Sequence, residues 1–357
     1  MLPFASVTDT SGLFREVRIT HITQETPDAK TFTIEPVSGE LTFAAGQFLT
    51  FVFPTKLGLA RRSYSFSSAP GEPPAVTIKR LPNGIFSRPL LEAAETGDLL
   101  TIAGGASGFF TLPEDLSGYG QIFFLAAGSG ITPIYSLIKT LLRGPSRIPI
   151  VLAYSNSSRE SAMFREQLQK LAAQHADRFT IVWFFSNHQD LWKARLNKLV
   201  LEDLLHEYQW TGPLNTLVYL CGPFDYMRMA SIVLQAQGIP VGNIRREVFT
   251  PDVRVVHAKP PDVDAHKVTI HFHGKSHHLT VKYPDTILAA AKAKKIELPY
   301  SCEAGRCGSC IAACTKGEVW MRYNEVLTDT EVSKGRVLTC QSFPVGGDVE
   351  ITFDSSD

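Results

Sequence analysis

The sequence predicts a chain of three domains: a small antiparallel β-barrel, an α/β domain and a C-terminal domain of strands folded around a cysteine loop. Three observations predict it. Short alternating segments and turns fill roughly the first hundred residues. Apolar strands then alternate with amphipathic helices from about Gly120. Near the end stands Cys302-Glu-Ala-Gly-Arg-Cys307-Gly-Ser-Cys310, followed after 29 residues by Cys340. At 357 residues the chain is too long for one core, and two or three domains are expected. Boundaries are placed at 1–115, 116–252, a linker over 253–265, and 266–357.

The first domain is read from Val17–Ile22, Lys30–Ile34, Gln47–Val52 and Val76–Arg80, strand-like in residue choice and separated by Pro70-Gly71, Pro73-Pro74 and Asn83-Gly84. A short helix is expected over Phe86–Ala94. Two segments carry chemistry. In Arg62-Ser63-Tyr64-Ser65-Phe66-Ser67-Ser68, a strand puts Arg62 and Tyr64 on one face and Ser65 on the other unless the strand ends there. An Arg fork suits a diphosphate, a Tyr a flat ring, and a hydroxyl a ring nitrogen. In Gly84-Ile85-Phe86-Ser87, a glycine turn enters a helix, a place for an anion. An ordinary strand edge and an ordinary hairpin cap are the competing readings of each segment alone.

The α/β domain opens on the buried-type strand Gln121–Ala127, which empties into Gly128-Ser129-Gly130-Ile131-Thr132-Pro133 and a helix through Leu142. Strand, glycine turn and helix form the context that a dinucleotide pyrophosphate needs. The next strand, Ile148–Tyr154, leads to Ser157 and Arg159 and then a helix through Leu168. Here an acid would favour NADH, and an Arg with hydroxyls favours the 2′-phosphate of NADPH. A solvated helix-start charge is the other reading of Arg159. Leu217–Leu220 ends in Cys221-Gly222-Pro223, and Arg246-Glu247-Val-Phe249 closes the domain. Phe185–Trp210 reads as helix and loop, with His188 and His206 on the surface.

Pro260-Pro261 marks a semi-extended linker. Strands follow at Lys267–His273 and His277–Val281, then a helix over Thr286–Lys295, the cysteine loop, a strand at Glu318–Met321 and a last strand at Val349–Phe353. His271 and His273 share a strand face as surface residues would. Cys314 is read as packing. Zinc would want two close Cys/His pairs, and six Cys in 357 residues make no disulfide scaffold.

The cysteine spacing resembles plant-type ferredoxins, whose β-grasp fold binds a [2Fe–2S] cluster through four Cys thiolates. It implies Cys302, Cys307, Cys310 and Cys340 as ligands. Arg62–Ser68 and Gly84/Ser87 resemble the flavin motifs of the ferredoxin-NADP reductase superfamily, and Gly128–Pro133 resembles its nucleotide turn. The resemblance implies a flavin held by Arg62, Ser63, Tyr64, Ser65, Ile78, Lys79, Gly84, Ile85, Phe86 and Ser87. FAD is implied, although a related group uses FMN. It also implies NADPH or NADH on Gly128–Pro133, Ser157, Arg159, Cys221, Gly222 and Pro223. Cys221 would position the nicotinamide, with Ser65, Glu247 and Phe249 near the flavin.

Taken over nearly the whole chain, the order of domains resembles reductase components of multicomponent oxygenases of the phenylacetyl-CoA epoxidase reductase type. The implied function is electron transfer from NAD(P)H through FAD and [2Fe–2S] to a partner protein, an oxygenase component. A stand-alone NAD(P)H-ferredoxin or flavin reductase and a redox-sensing iron–sulfur module are the alternatives. Acceptor specificity is expected around Glu303, Arg306, Met321 and Tyr323.

Composition excludes other classes. Lys plus Arg number 35, as do Asp plus Glu, so no basic footprint for nucleic acid is present. From His266 on the counts are eleven and eleven, a neutral domain that, being tethered, needs little long-range steering. No leader pattern and no membrane-length apolar run are read, which predicts a cytoplasmic protein.

Overall fold

A computed structural model describes residues 13–55, 58–81, 84–208, 211–249 and 258–354. Asn83, Trp210, Pro251 and residues 253–257 of the expected linker lie outside them. The described chain forms two compact units. The first holds Arg15–Ala106 and Phe110–Phe249; the second holds residues 13–14, 107–109 and 258–354.

The first unit begins with β1 (Phe14–Thr26), β2 (Ala29–Pro36), β3 (Phe48–Thr55), β4 (Gly58–Ser65), β5 (Ala75–Lys79) and β6 (Leu99–Ala103), with α1 (Ser87–Ala93) between the last two. They make one six-stranded sheet in the order β4-β3-β6-β1-β2-β5. Its two edges meet at the bridge Phe66–Val76. Alternate residues turn inward, and Val17, Ile19, Phe32, Ile34, Phe51 and Phe53 fill the interior. Each such side chain contributes about 1.5–3 kcal/mol on burial.

The same unit continues with β7 (Gln121–Ala127), α2 (Ile131–Arg143), β8 (Ile150–Asn156), α3 (Arg165–Gln174), β9 (Phe179–Phe185), α4 (Leu191–Ala194), α5 (Lys198–Tyr208), β10 (Thr216–Cys221), α6 (Phe224–Ala236) and β11 (Ile244–Glu247). The sheet order is β11-β10-β7-β8-β9, with every pairing parallel. Phe124, Leu152 and Tyr219 pack on the α2 side, and their neighbours Phe123, Val151 and Val218 pack on the α5–α6 side. This two-faced burial explains why these strands read as unbroken apolar runs.

Two expectations need correction here. The chain after β8 does not enter a helix at once. Ser161 Oγ takes a hydrogen bond from Ser158 N–H at 3.0 Å and donates to Ser158 O at 2.9 Å, so serine hydroxyls hold a turn and the helix waits until Arg165. Phe185 belongs to strand β9 rather than to a helix-and-loop stretch.

The second unit is a five-stranded sheet, β13-β12-β16-β14-β15. Its members are β12 (His266–Phe272), β13 (Lys275–Val281), β14 (Ile311–Met321), β15 (Arg336–Leu338) and β16 (Ser342–Thr352). Helix α7 (Ile287–Ala293) packs Ile287, Leu288 and Ala291 into its core, and α8 (Asp329–Ser333) carries a capping box from Thr328 and Glu331. Thr286 caps α7 by accepting from Ala289 N–H at 3.2 Å. His273 lies beyond β12 at φ 50°, so it does not share a strand face with His271. Cys314 lies on β14, half-buried against the core.

Candidate redox site

Order 5-4-1-2-3 in the parallel sheet makes β7 and β10 the switch point, the place where open α/β sheets bind ligands. The turn Gly128–Gly130 after β7 and the turn Cys221–Pro223 after β10 meet there. A Cβ on Gly130 would stand 2.0 Å from the Cys221 carbonyl oxygen, so only glycine permits the approach. Thr132 Oγ1 donates to Ser129 O at 3.0 Å and Tyr154 OH to Gly128 O at 3.2 Å, which fixes the turn from within. Ile131 and Pro133 are buried in the first turn of α2.

Cys221 is fully buried, and β10 pairs it in register with Glu247 of β11. Burial first, and the Glu247 carboxyl second, push the Cys221 thiol well up, so it stays a neutral thiol. Ser65, where β4 ends, donates its hydroxyl to Glu247 Oε1 at 3.3 Å. Among the described residues, Glu247 Oε2 is buried without a hydrogen-bond partner. Burial raises the Glu247 pKa to about 8, against a lowering by Ser65, so the carboxyl carries its proton at neutral pH. Ser65 and Glu247, 182 residues apart in the chain, are thus brought together beside Cys221.

Around them the motif residues divide. Arg62 is exposed and Tyr64 is half-buried, its ring stacked at 5.8 Å on Phe86. Ser63 Oγ shares a hydrogen bond with Thr50 at 2.9 Å. Ile85 and Phe249 are exposed apolar residues. Three implied flavin contacts are otherwise occupied. Ile78 is fully buried in the core of the first sheet, so only its backbone can serve a ligand. Lys79 pairs with Asp28 at 3.4 Å. Ser87 Oγ accepts from Leu81 N–H at 3.3 Å and would touch any Cβ on Gly84 at 2.2 Å, so it braces its own turn. Helix α1, with seven residues, is too short to make an anion site by itself. Ser157 is exposed, with its hydroxyl 2.9 Å from that of Ser161, and the Arg159 guanidinium lies 5.8 Å from the Phe185 ring centroid.

In the second unit, the cysteines fall into two pairs. Cys302 N–H donates to Cys307 Sγ at 3.4 Å, and Ala304 N–H donates to Cys302 Sγ at 3.3 Å. The hydrogen bond from Cys307 lowers the Cys302 thiol and the same bond pushes Cys307 up. Cys310 and Cys340 share a proton likewise, with Cys340 the lowered partner. Thr339 Oγ1 donates to Cys310 O at 3.0 Å and so holds that pair together. Among the described residues no three His, Cys, Asp or Glu side chains gather about one ion. Two thiol pairs with backbone N–H groups aimed at sulfur fit a two-iron, all-cysteine cluster.

Gly305, at φ 72°, lets the loop pass where a Cβ would lie 2.9 Å from Tyr323 O. No local sequence pattern points to Gln341. Its Nε2 donates to Glu303 O at 2.9 Å and its Oε1 accepts from Arg322 Nε at 2.8 Å, joining the loop to the segment of the fourth cysteine. Of the expected docking residues, Glu303 is exposed and ion-paired with Lys292 at 2.8 Å. The Arg306 side chain is only 4% exposed and faces Glu325 at 3.3 Å, and Met321 Sδ accepts from Leu338 N–H, so these two turn inward.

Residues 124–231 match the model of the oxidoreductase NAD-binding domain, and residues 270–345 match that of the 2Fe-2S iron–sulfur cluster binding domain. Across 95% of this chain and 97% of its own length, the ferredoxin reductase component of 3-ketosteroid-9-alpha-monooxygenase from Mycolicibacterium smegmatis is 32% identical. The chain belongs to the family of oxygenase reductase components. It is an NAD(P)H-dependent oxidoreductase. Another family member, a component of 1,2-phenylacetyl-CoA epoxidase from Escherichia coli, is 32% identical over 96% of this chain and 98% of its own. The fold is shared with phthalate dioxygenase reductase, at 23% identity and TM-score 0.58, over 95% of this chain and 98% of that one. No helix among the described residues is long and apolar enough to cross a membrane.

Proposed function

We propose that this family member carries FAD on the Arg62–Ser68 segment, takes a hydride from NADPH at the β7–β10 switch point, and delivers single electrons through Cys302, Cys307, Cys310 and Cys340. The observation that carries the reading is the Ser65–Glu247 contact beside Cys221, with a buried carboxyl oxygen left for a ligand. When bound, a flavin supplies the change from two-electron to one-electron transfer between nicotinamide and cluster.

The chain's own residues do the rest. Arg62 offers its guanidinium to the flavin diphosphate, while Ser63, Tyr64, Ile85 and Phe86 shape the ring's surroundings and Gly84 and the backbone at Ile78 permit close approach. Ser65 holds a hydroxyl in the site, backed by a Glu247 carboxyl that is protonated at neutral pH. If the protonated Glu247 carboxyl turns to donate to Ser65 Oγ, the hydroxyl can pass its own proton to a ligand and be re-protonated by Glu247, which is left as the carboxylate. Cys221 contributes bulk and orientation, because its thiol does not ionise. Phe249 leaves a free ring for stacking. Ser157 and Arg159 face the ribose end of the nucleotide with hydroxyl and guanidinium and without a carboxylate at the strand end, which favours NADPH.

The protein works in the cytoplasm, where thiols stay reduced, and its acceptor is an oxygenase component, as the names of its relatives state for themselves. Domain limits at 115, 252 and 265 complete the reading. Nucleotide choice is tested with Arg159→Ala. The variant is expected to lose about tenfold or more in kcat/KM for NADPH with little change for NADH. Equal losses for both nucleotides would remove the 2′-phosphate role.

A further inference from the structure

A second set of contacts joins the end of the flavin motif to the nucleotide helix, through residues that the redox chemistry does not use. The buried Ser136 hydroxyl of α2 donates to the carbonyl of Ser68, the last motif residue, at 2.5 Å. The loop that follows is folded by Ala69 N–H donating to Glu72 Oε2 at 2.6 Å. Glu72 in turn receives Lys139 on Oε2 and Arg143 on Oε1. Ser136, Lys139 and Arg143 lie three and then four residues apart, so one face of α2 makes all three contacts. The first turn of that helix is Ile131–Pro133.

Lys139 is built into this place. Its side chain is 9% exposed, its Nζ lies 4.4 Å from the Tyr135 ring centroid, and Tyr135 stacks on Phe164 at 4.3 Å. Burial lowers the Lys139 pKa against the raising effect of Glu72, so the ammonium depends on its partner. A cavity of about 300 Å³ borders the pair, lined among others by Glu25, Thr31 and Gln167. Such a pair adds little net stability over apolar packing, but it is directional, and losing Glu72 leaves the buried Lys139 ammonium without its carboxylate, whereas Glu72 keeps Arg143 when Lys139 is lost.

We propose that Glu72 and Lys139 form a latch that sets the register of the nucleotide helix against the flavin strand, which makes both of them positioning residues for hydride transfer. The inference rests on the reading of Arg62–Ser68 and Gly128–Pro133 given above. Displacement by about 1 Å can cost about 100-fold in rate without weakening binding in proportion.

The test uses the full-length, flavin- and cluster-replete protein. Flavin bleaching by NADPH is followed by anaerobic stopped flow over a range of nucleotide concentrations. Lys139→Met and Glu72→Gln are expected to slow the saturating rate about 10- to 100-fold with the apparent Kd changed less than about threefold. Lys139→Arg, which keeps the charge and the pairing, is expected to stay within about threefold of the unaltered rate. Unaltered bleaching in Lys139→Met and Glu72→Gln at full flavin occupancy would overturn the latch. So would a fall that only tracks lost flavin, or a Lys139→Arg variant as slow as Lys139→Met. Failure of the unaltered, flavin-replete protein to bleach with either nucleotide would overturn the site reading itself, a result distinct from any difference among variants.

Discussion

At Glu247, desolvation outweighs the hydrogen bond from Ser65 and raises the pKa to about 8. The sign of its pH effect follows. A carboxyl whose folded pKa lies above 4.5 stabilises the fold most at low pH, and that contribution is lost as pH rises through about 8. Flavin reduction by nucleotide is therefore expected to be level between about pH 6 and 7.5 and to decline above about 8 as the proton leaves. Glu247→Gln should lower the rate, erase that alkaline limb and make the protein relatively more stable at about pH 9. Stopped-flow rates and melting curves across pH check both, and a limb that survives in Glu247→Gln would assign the titration to another group. Cys221→Ala should retain most of its stability while slowing hydride transfer, since a neutral buried thiol acts through packing. Reaction with iodoacetamide at Cys221 in the folded protein would contradict that.

Turns, more than strands or helices, carry the residues of the proposed sites. Gly130→Ala places a Cβ 2.0 Å from the Cys221 carbonyl, an overpacking that costs about 1–3 kcal/mol or more. The variant is expected to lose bleaching by nucleotide while its cluster remains reducible by dithionite. Retained nucleotide reduction would show that the two turns part without consequence. Gln341→Ala removes the tie to Glu303 O, and the cluster is expected to bleach faster in the presence of a chelator; an unchanged half-life would limit Gln341 to packing.

These turns also mark what the sequence could reveal. The cysteine loop, Arg62–Ser68 and Gly128–Pro133 were legible because their chemistry sits within nine residues or fewer. Gln341 and Lys139 were not, because their partners lie 38 and 67 residues away and no local pattern links them. The helix expected after Arg159 is present but starts later, at Arg165, for a local reason: serines compete for the backbone with their own hydroxyls. Ile78 and Lys79 match the flavin pattern by likeness alone, with the Ile78 side chain in the core and Lys79 paired to Asp28.

For the whole molecule, two compact units hold different parts, with Arg62–Ser68, Gly128–Pro133 and Cys221–Pro223 in one and Cys302, Cys307, Cys310 and Cys340 in the other. Cys340→Ser should therefore abolish the cluster's absorbance and electron delivery to a protein acceptor, yet leave flavin bleaching by nucleotide within about threefold of normal. The most direct test of the central claim is anaerobic titration of the replete protein with NADPH and then NADH, followed by visible absorbance and EPR. The account predicts that flavin absorbance bleaches and a rhombic S = 1/2 signal from the reduced cluster then appears, at lower NADPH than NADH. A cluster that dithionite reduces but neither nucleotide does, in flavin-replete protein, would contradict it.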